Sequence, residues 1–336
     1  MAHPKGKRWT QIAGSGFNGK PGGGQDGHQS TLERGALRIM RAILTYHSID
    51  DSGSPISVGL REFRRHVEWL AAAPVRVLTV PELLQVPADA DAVAITFDDA
   101  LRTFADIAWP LLRAHALPAT VFVPTAHVGQ TSVWGAETPR GLSREVPVLR
   151  LMTWDDLARA ADEGATLASH CRHHVDLSRL DTARLEDELL GAVVDIRTRT
   201  GRAPNGLAYP FGVTSAASVG AVRRVYEWAC TTVLRPLAAH PDPHLLPRLD
   251  AYYLRGGLEG WGSVRLHARL AGRRCARGVR RTLARAIGVS LTRTATTSRR
   301  AHRPLAQGGA VQHIGPGWML RRVRPSDIAL LRGSRA

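Results

Sequence analysis

Cysteine is scarce in this chain: Cys171, Cys230 and Cys275 are the three among 336 residues, and their spacing is wide and unpatterned. That usage excludes a disulfide framework or a zinc ribbon and fits a reducing compartment. Long apolar runs are missing too. None approaches the roughly eighteen residues of a membrane-spanning helix, and the N-terminus lacks the apolar centre of a secretory signal. The expected location is therefore cytoplasmic or peripheral at the inner face of the membrane, with export left open. Acidic residues nearly vanish from one region: residues 273–336 hold 15 Arg and one acid, Asp327, so most of the formal net charge of +16 sits there. The rest of the chain is close to neutral. No aromatic platform or recognised module accompanies those arginines, so nucleic acid is not an expected partner.

The chain does have enough apolar residues, 44%, for a sizeable core. Residues 1–39 are Gly-rich and aperiodic and are expected to be disordered or a non-native extension. From residue 40, short apolar runs alternate with helical patterns. Strands are predicted at 42–46, 75–80, 93–97, 119–123, 166–169, 206–209 and 228–233. Helices are predicted at 60–73, 82–86, 103–115, 153 onward, 181–199 and 215–226. The 103–115 helix should bury Ile107, Leu111 and Leu112, and residues 124–150 read as an active-site loop. Strand and helix in alternation favour a parallel sheet with right-handed crossovers.

Chemistry-bearing residues fall directly after these strands. Asp98 and Asp99 end the run Val93-Ala94-Ile95-Thr96-Phe97; one carboxylate of such a pair can ligate a hard metal while its neighbour accepts a proton. An isolated Asp-Asp pair is more often a plain acidic turn, so it needs corroboration. His170 and His174 are four apart, and on one helical turn their imidazoles would share a face. Without a helix there, His173 competes with His174. His47 follows the first strand and Tyr209-Pro210 a later one. A barrel of parallel strands would bring all of these to one rim.

Three ordered motifs carry a resemblance: Thr96-Phe97-Asp98-Asp99, His170-Cys171-Arg172-His173-His174, and Ala208-Tyr209-Pro210-Phe211-Gly212. They resemble the polysaccharide deacetylases, the NodB-homology family of carbohydrate esterases. Leu44-Thr45-Tyr46-His47 and Leu246-Pro247-Arg248 resemble its poly-N-acetylglucosamine deacetylase branch. The resemblance implies a distorted TIM-like (β/α) barrel of about seven units over residues 40–256, followed by a basic C-terminal extension over 257–336. It implies Asp98 as general base and His47 as general acid. Asp99, His170 and His174 would hold a divalent metal, zinc first, with cobalt, nickel or manganese as alternatives. Tyr209 and Pro210 would lie at the substrate, with an oxyanion-binding backbone N–H near Tyr209. Arg248, grouped with them, would orient the catalytic carboxylate or pair with Asp250. The chain departs from the family pattern at Ala100 (usually Gly), Cys171 (usually Ser or Thr) and Val175 (usually Pro). The commoner branch's C-terminal Leu-x-His acid has no counterpart beyond the nearby Leu266-His267, which is why His47 matters.

The expected reaction is removal of an N-acyl group from an amino sugar in a polysaccharide or lipid-linked precursor. The rival expectation is a catalytically silent carbohydrate-binding or scaffold protein. From Val264 to Leu291, arginines recur every fourth residue beside leucines, an amphipathic basic helix suited to an anionic membrane surface; a solvated charged face is the plainer alternative.

Overall fold

The computed structural model describes residues 39–133, 147–276 and 278. The expected N-terminal extension up to residue 38, residues 134–146 of the loop and the extension beyond residue 278 lie outside the described residues.

Among the described residues ten strands form: β1 (Arg41–Tyr46), β2 (Ser48–Ile49), β3 (Ser57–Val58), β4 (Arg76–Leu78), β5 (Ala92–Phe97), β6 (Thr120–Val123), β7 (Thr166–Ser169), β8 (Gly206–Ala208), β9 (Trp228–Cys230) and β10 (Leu249–Asp250). The main sheet runs β10-β1-β5-β6-β7-β8-β9, and every ladder in it is parallel. β4 adds to the first half of β5, opposite β1. The sheet closes through one segment. Leu246 bridges Cys230 of β9, Arg248 N–H donates to the Val233 carbonyl (3.0 Å), and Leu249 and Asp250 pair with Leu44 and Thr45 of β1. This is the expected distorted TIM-like barrel.

Between strands lie α1 (Leu60–Ala72), α2 (Val80–Gln85), α3 (Trp109–Ala114), α4 (Trp154–Asp162), α5 (Thr182–Thr200) and α6 (Ala216–Val225). Local signals explain several boundaries. Thr153 caps α4 in a capping box with Asp156, and Asp181 caps α5, which ends at Gly201 in the left-handed region (φ +69°). The predicted 103–115 helix is split: Phe104–Ala108 is a π turn leading into α3. Trp109 N–H reaches back to the Phe104 carbonyl, and Pro110 follows with no donor of its own. That extra residue turns Phe104, Ala108, Trp109 and Leu112 fully inward and leaves Ile107 and Leu111 half-buried against the same cluster.

One buried cluster takes a residue from each successive strand: Ile43, Ala94, Phe122, Ala168, Ala208 and Trp228. The small members make room for the large ones. Gly206 sits so close to Trp228 that a Cβ there would lie 2.1 Å from the indole. A second cluster packs β1, β5 and β6 under α1 and α3, and a third packs β8 and β9 under α5 and α6.

Core packing does not stop at residue 256, where the sequence reading ended the barrel. Leu258, Trp261, Leu266 and Leu270 are buried in the second cluster, and Trp261 Nε1–H donates to Asp91 Oδ1 (2.9 Å). Residues 264–276 are helical and keep Arg265, Arg269, Arg273 and Arg274 exposed. The leucines of this amphipathic stretch thus face the barrel; the expected continuation to Leu291 lies outside the described residues. Among the described residues, no helix is long and apolar enough to cross a membrane.

Candidate active site

Parallel strands leave all their carboxyl ends at one rim. His47 follows β1, Asp98 and Asp99 follow β5, His170 follows β7 and Tyr209 follows β8, while Arg248 lies just before β10. Two connected groups result.

The first centres on Asp98. Arg248, 2% exposed, donates from Nη1 to Asp98 Oδ1 (2.6 Å) and from Nη2 to Oδ2 (2.8 Å), a bidentate pair. Its Nε–H donates to the Thr231 carbonyl (2.9 Å), which fixes the guanidinium plane. His47 Nε2 lies 3.6 Å from Asp98 Oδ2, and His47 is the partly exposed member. Burial alone would raise the Asp98 carboxyl, but Arg248, then His47 and His170, hold it below the usual carboxylate range. Arg248 thus buries its charge against the Asp98 carboxylate and holds it in one orientation.

The second group is Asp99, His170 and His174, all buried. Asp99 Oδ1 lies 3.5 Å from His170 Nε2 and 3.3 Å from His174 Nε2, yet makes no hydrogen bond of good geometry. His170 Nδ1–H donates to the Ala208 carbonyl (2.8 Å), which turns the Nε2 lone pair toward Asp99. Burial pushes His174 down to about 3, so it stands neutral with a lone pair to offer. Against the effect of burial, the imidazoles hold Asp99 well below the carboxylate range and Asp99 with Asp98 raises His170. Ligands about 2.0–2.1 Å from a tetrahedral zinc stand about 3.3 Å apart, so a buried carboxylate oxygen and two nitrogens at this spacing fit a divalent ion.

The two histidines do not share a helical turn, as the spacing had suggested. Residues 170–176 form a loop in which Cys171 (φ +64°) and His174 (φ +52°) occupy the left-handed region. Glu188, buried on α5, holds this loop: its Oε2 accepts from the backbone N–H of Arg172 (2.9 Å) and His173 (3.0 Å). Its Oε1 meets His173 Nδ1 at 2.7 Å. His173 is therefore turned outward and His174 inward. Sequence reading missed Glu188, although an acid among Leu185, Leu189, Ala192 and Ile196, on the inward stripe of α5, was a usable signal. Asp99 (φ +69°) and Ala100 (φ +48°) are left-handed as well, which accounts for a preference for glycine after the carboxylates.

The N–H of Tyr209 itself is engaged within the sheet, so an oxyanion-binding N–H near it would belong to a neighbour. The Tyr209 N–H donates to the Cys230 carbonyl (3.0 Å), tying β8 to β9, and the Tyr209 ring is buried in the third cluster. Pro210 has no N–H. It opens the turn Pro210–Gly212, which carries Phe211, 47% exposed, against the His174 ring at 4.7 Å. Beside His47 a cleft of about 280 Å³ opens, walled by Thr45, Pro55, Ile56, Asp250, Tyr252 and Tyr253 and reaching Arg248 and Thr232.

Residues 85–225 match the family model described as polysaccharide deacetylase. The Bacillus subtilis protein YxkH is 25% identical over 206 residues, 60% of this chain and 66% of that one. The poly-beta-1,6-N-acetyl-D-glucosamine N-deacetylase of Staphylococcus epidermidis is 23% identical over 200 residues, 57% of this chain and 67% of that one. The chain thus spans about two thirds of the length of these relatives. Among solved structures, IcaB from Ammonifex degensii superposes with a TM-score of 0.53 at 19% identity, covering 66% of this chain and 97% of that one, a likeness of fold.

Proposed function

We propose that this chain, whose residues 85–225 match the polysaccharide deacetylase family model, hydrolyses the N-acyl group of an amino sugar within a glycan. The observation that carries the reading is the convergence of Asp99 Oδ1 with two imidazole Nε2 atoms beside a second, separately clamped carboxylate. Asp99, His170 and His174 would hold a divalent metal, zinc by its nitrogen and carboxylate donors. Bound there, the ion would polarise the acyl carbonyl and lower the pKa of water.

The protein's own residues divide the proton work. Asp98, ionised and fixed by Arg248, takes the proton of the attacking water. His47 stands on the solvent side of Asp98 and gives a proton to the nitrogen as the carbon–nitrogen bond breaks, releasing the carboxylic acid and the free amine. Arg248 keeps Asp98 in one orientation. The name of the Staphylococcus epidermidis relative supports an N-acetylglucosamine polymer as the glycan; a lipid-linked precursor is the second form to assay.

Acyl release from acetylated β-1,6- and β-1,4-linked glucosamine oligomers, with metal analysis of the same sample, tests the proposal. Asp98→Asn with turnover intact would refute the base. Sugar binding without metal uptake or turnover would leave a carbohydrate-binding protein.

The exposed arginines of residues 264–276 add an electrostatic contact to an anionic membrane surface from the cytoplasmic side. Leu266 and Leu270 are engaged in the core, so this stretch contributes charge and no apolar insertion. Vesicles with and without phosphatidylserine, at low and high salt, test it: binding that ignores salt contradicts it.

A further inference from the structure

We infer that the cleft beside His47 is a subsite for the sugar ring next to the one that loses its acyl group, with Tyr252 and Tyr253 as its platform. This deepens the deacetylase reading and rests on it for the position of the reacting sugar.

The cleft is separate from the proposed metal ligands: Asp99, His170 and His174 do not line it, whereas His47 and Arg248 do. A ring that fills it therefore lies on the proton-donating side of Asp98. Its volume, about 280 Å³, is at the lower end of small-molecule sites, enough for one ring and not for a length of polymer. Its walls suit a pyranose, which offers C–H groups on its faces and hydroxyls around its edge. Tyr252, Tyr253, Pro55 and Ile56 give apolar surface. Asp250 gives a carboxylate acceptor, and the Thr45 hydroxyl is buried in the wall with no hydrogen-bond partner among the described residues.

The platform is held rigidly. Asp250 Oδ1 caps the turn Ala251–Leu254 by accepting from Tyr252 N–H (3.0 Å), and His66 Nε2–H donates to the Leu254 carbonyl (3.1 Å) at its other end. The Arg255 guanidinium lies 4.3 Å from the Tyr252 ring centre and is itself fixed by the carbonyls of Ser54 and Ser57. A ring braced on one side loses little freedom when a sugar meets its remaining surface. Nothing about the proposed hydrolysis alone calls for two adjacent tyrosines on a clamped turn at this edge of the mouth.

The test uses the full-length zinc-loaded protein and two probes, N-acetylglucosamine and an acetylated β-1,6-linked glucosamine tetramer. In an Asp98→Asn background, which separates binding from turnover, calorimetry should give a tetramer Kd at least fivefold weaker with Tyr252→Ala and within twofold with Tyr252→Phe. Ile56→Trp, which fills the cleft and leaves the tyrosine turn intact, should weaken the tetramer equally and serves if Tyr252→Ala does not fold. In the active protein the kcat/KM ratio of tetramer to monomer should fall by the same factor, through KM. Tetramer binding that survives both substitutions, or that never exceeds monomer binding, overturns the subsite. Tyrosine-dependent tetramer binding with no acyl release from any glycan supports sugar binding at the tyrosine turn and overturns the deacetylase reading, and with it the place of the ring beside a reacting sugar.

Discussion

Arg248 and Asp98, 150 positions apart, meet through two parallel hydrogen bonds in a buried setting, and this pair fixes the charge state of the proposed base. Its pH linkage has a definite sign. The Asp98 carboxyl is lower folded than unfolded, so its contribution to stability is complete above the ordinary Asp value of 3.8 and is lost as pH falls through the lower folded value. Arg248→Met removes the countercharge and leaves a buried carboxylate, at a cost of about 3–5 kcal/mol near neutral pH. Urea unfolding at pH 7 and pH 4 should show that cost shrinking at the lower pH, where the bare carboxyl is protonated. Arg248→Lys keeps the charge but not the fork, and kcat should fall about a hundredfold from the misplaced base.

The outward and inward histidines separate cleanly in a metal assay. His174→Ala, His170→Ala and Asp99→Ala should each abolish stoichiometric zinc. His173→Ala should retain it and lose about 1 kcal/mol or less, since its contact with Glu188 is half exposed. Elemental analysis after dialysis reads the difference, and loss of zinc from His173→Ala alone would reverse the assignment.

Chelation should lower thermal stability as well as activity. Zinc at 100 times its Kd stabilises the folded chain by about 2.7 kcal/mol, so the melting temperature should rise with added zinc and return to the metal-free value with chelator. The rise should vanish in Asp99→Ala. A melting temperature independent of zinc contradicts the proposed site.

His66 gives a second pH linkage, away from the metal residues. It accepts from Tyr46 Oη–H at Nδ1 (2.9 Å) and donates from Nε2, and burial pushes its pKa below 6.5. A lowered imidazole binds protons better when unfolded, so stability is greatest above pH 6.5 and declines as pH falls below it. Replacing His66 with Gln should flatten the change in melting temperature between pH 8 and pH 5. An unchanged slope would assign that pH dependence elsewhere.

Gly206→Ala tests the barrel filling. The added Cβ meets Trp228 at 2.1 Å, well inside contact distance, and overpacking of this kind costs about 1–3 kcal/mol. Gly206→Ala combined with Trp228→Phe should recover part of the loss, measured by denaturant midpoint.

Most of the barrel was legible because its longer strands are short apolar runs and because caps such as Thr153, Asp181 and Gly201 are local chemistry, whereas the two-residue β10 carries no such run and was not expected. The acidic pair and His170 were legible for the same reason: they stand at strand ends. The route to His174 was not. Two non-glycine residues in left-handed conformations hold that loop, and what stabilises them is Glu188, which arrives from a helix packed beside it. That the N–H of Tyr209 itself is engaged was not legible, because its partner, the Cys230 carbonyl, belongs to a strand pairing that only the folded sheet reveals. The arginine periodicity after Val264 was real, but periodicity does not tell whether a leucine stripe faces a lipid or its own barrel.

The segment from Leu246 to Asp250 joins the two edges of the sheet, and it also delivers the guanidinium that neutralises Asp98 and the carboxylate that starts the tyrosine turn. Ring closure and the arming of the base are consequently a single event. A nascent chain whose residues 246–250 have not yet left the ribosome carries every other member of the rim, but its Asp98 still lacks the guanidinium that orients and neutralises it.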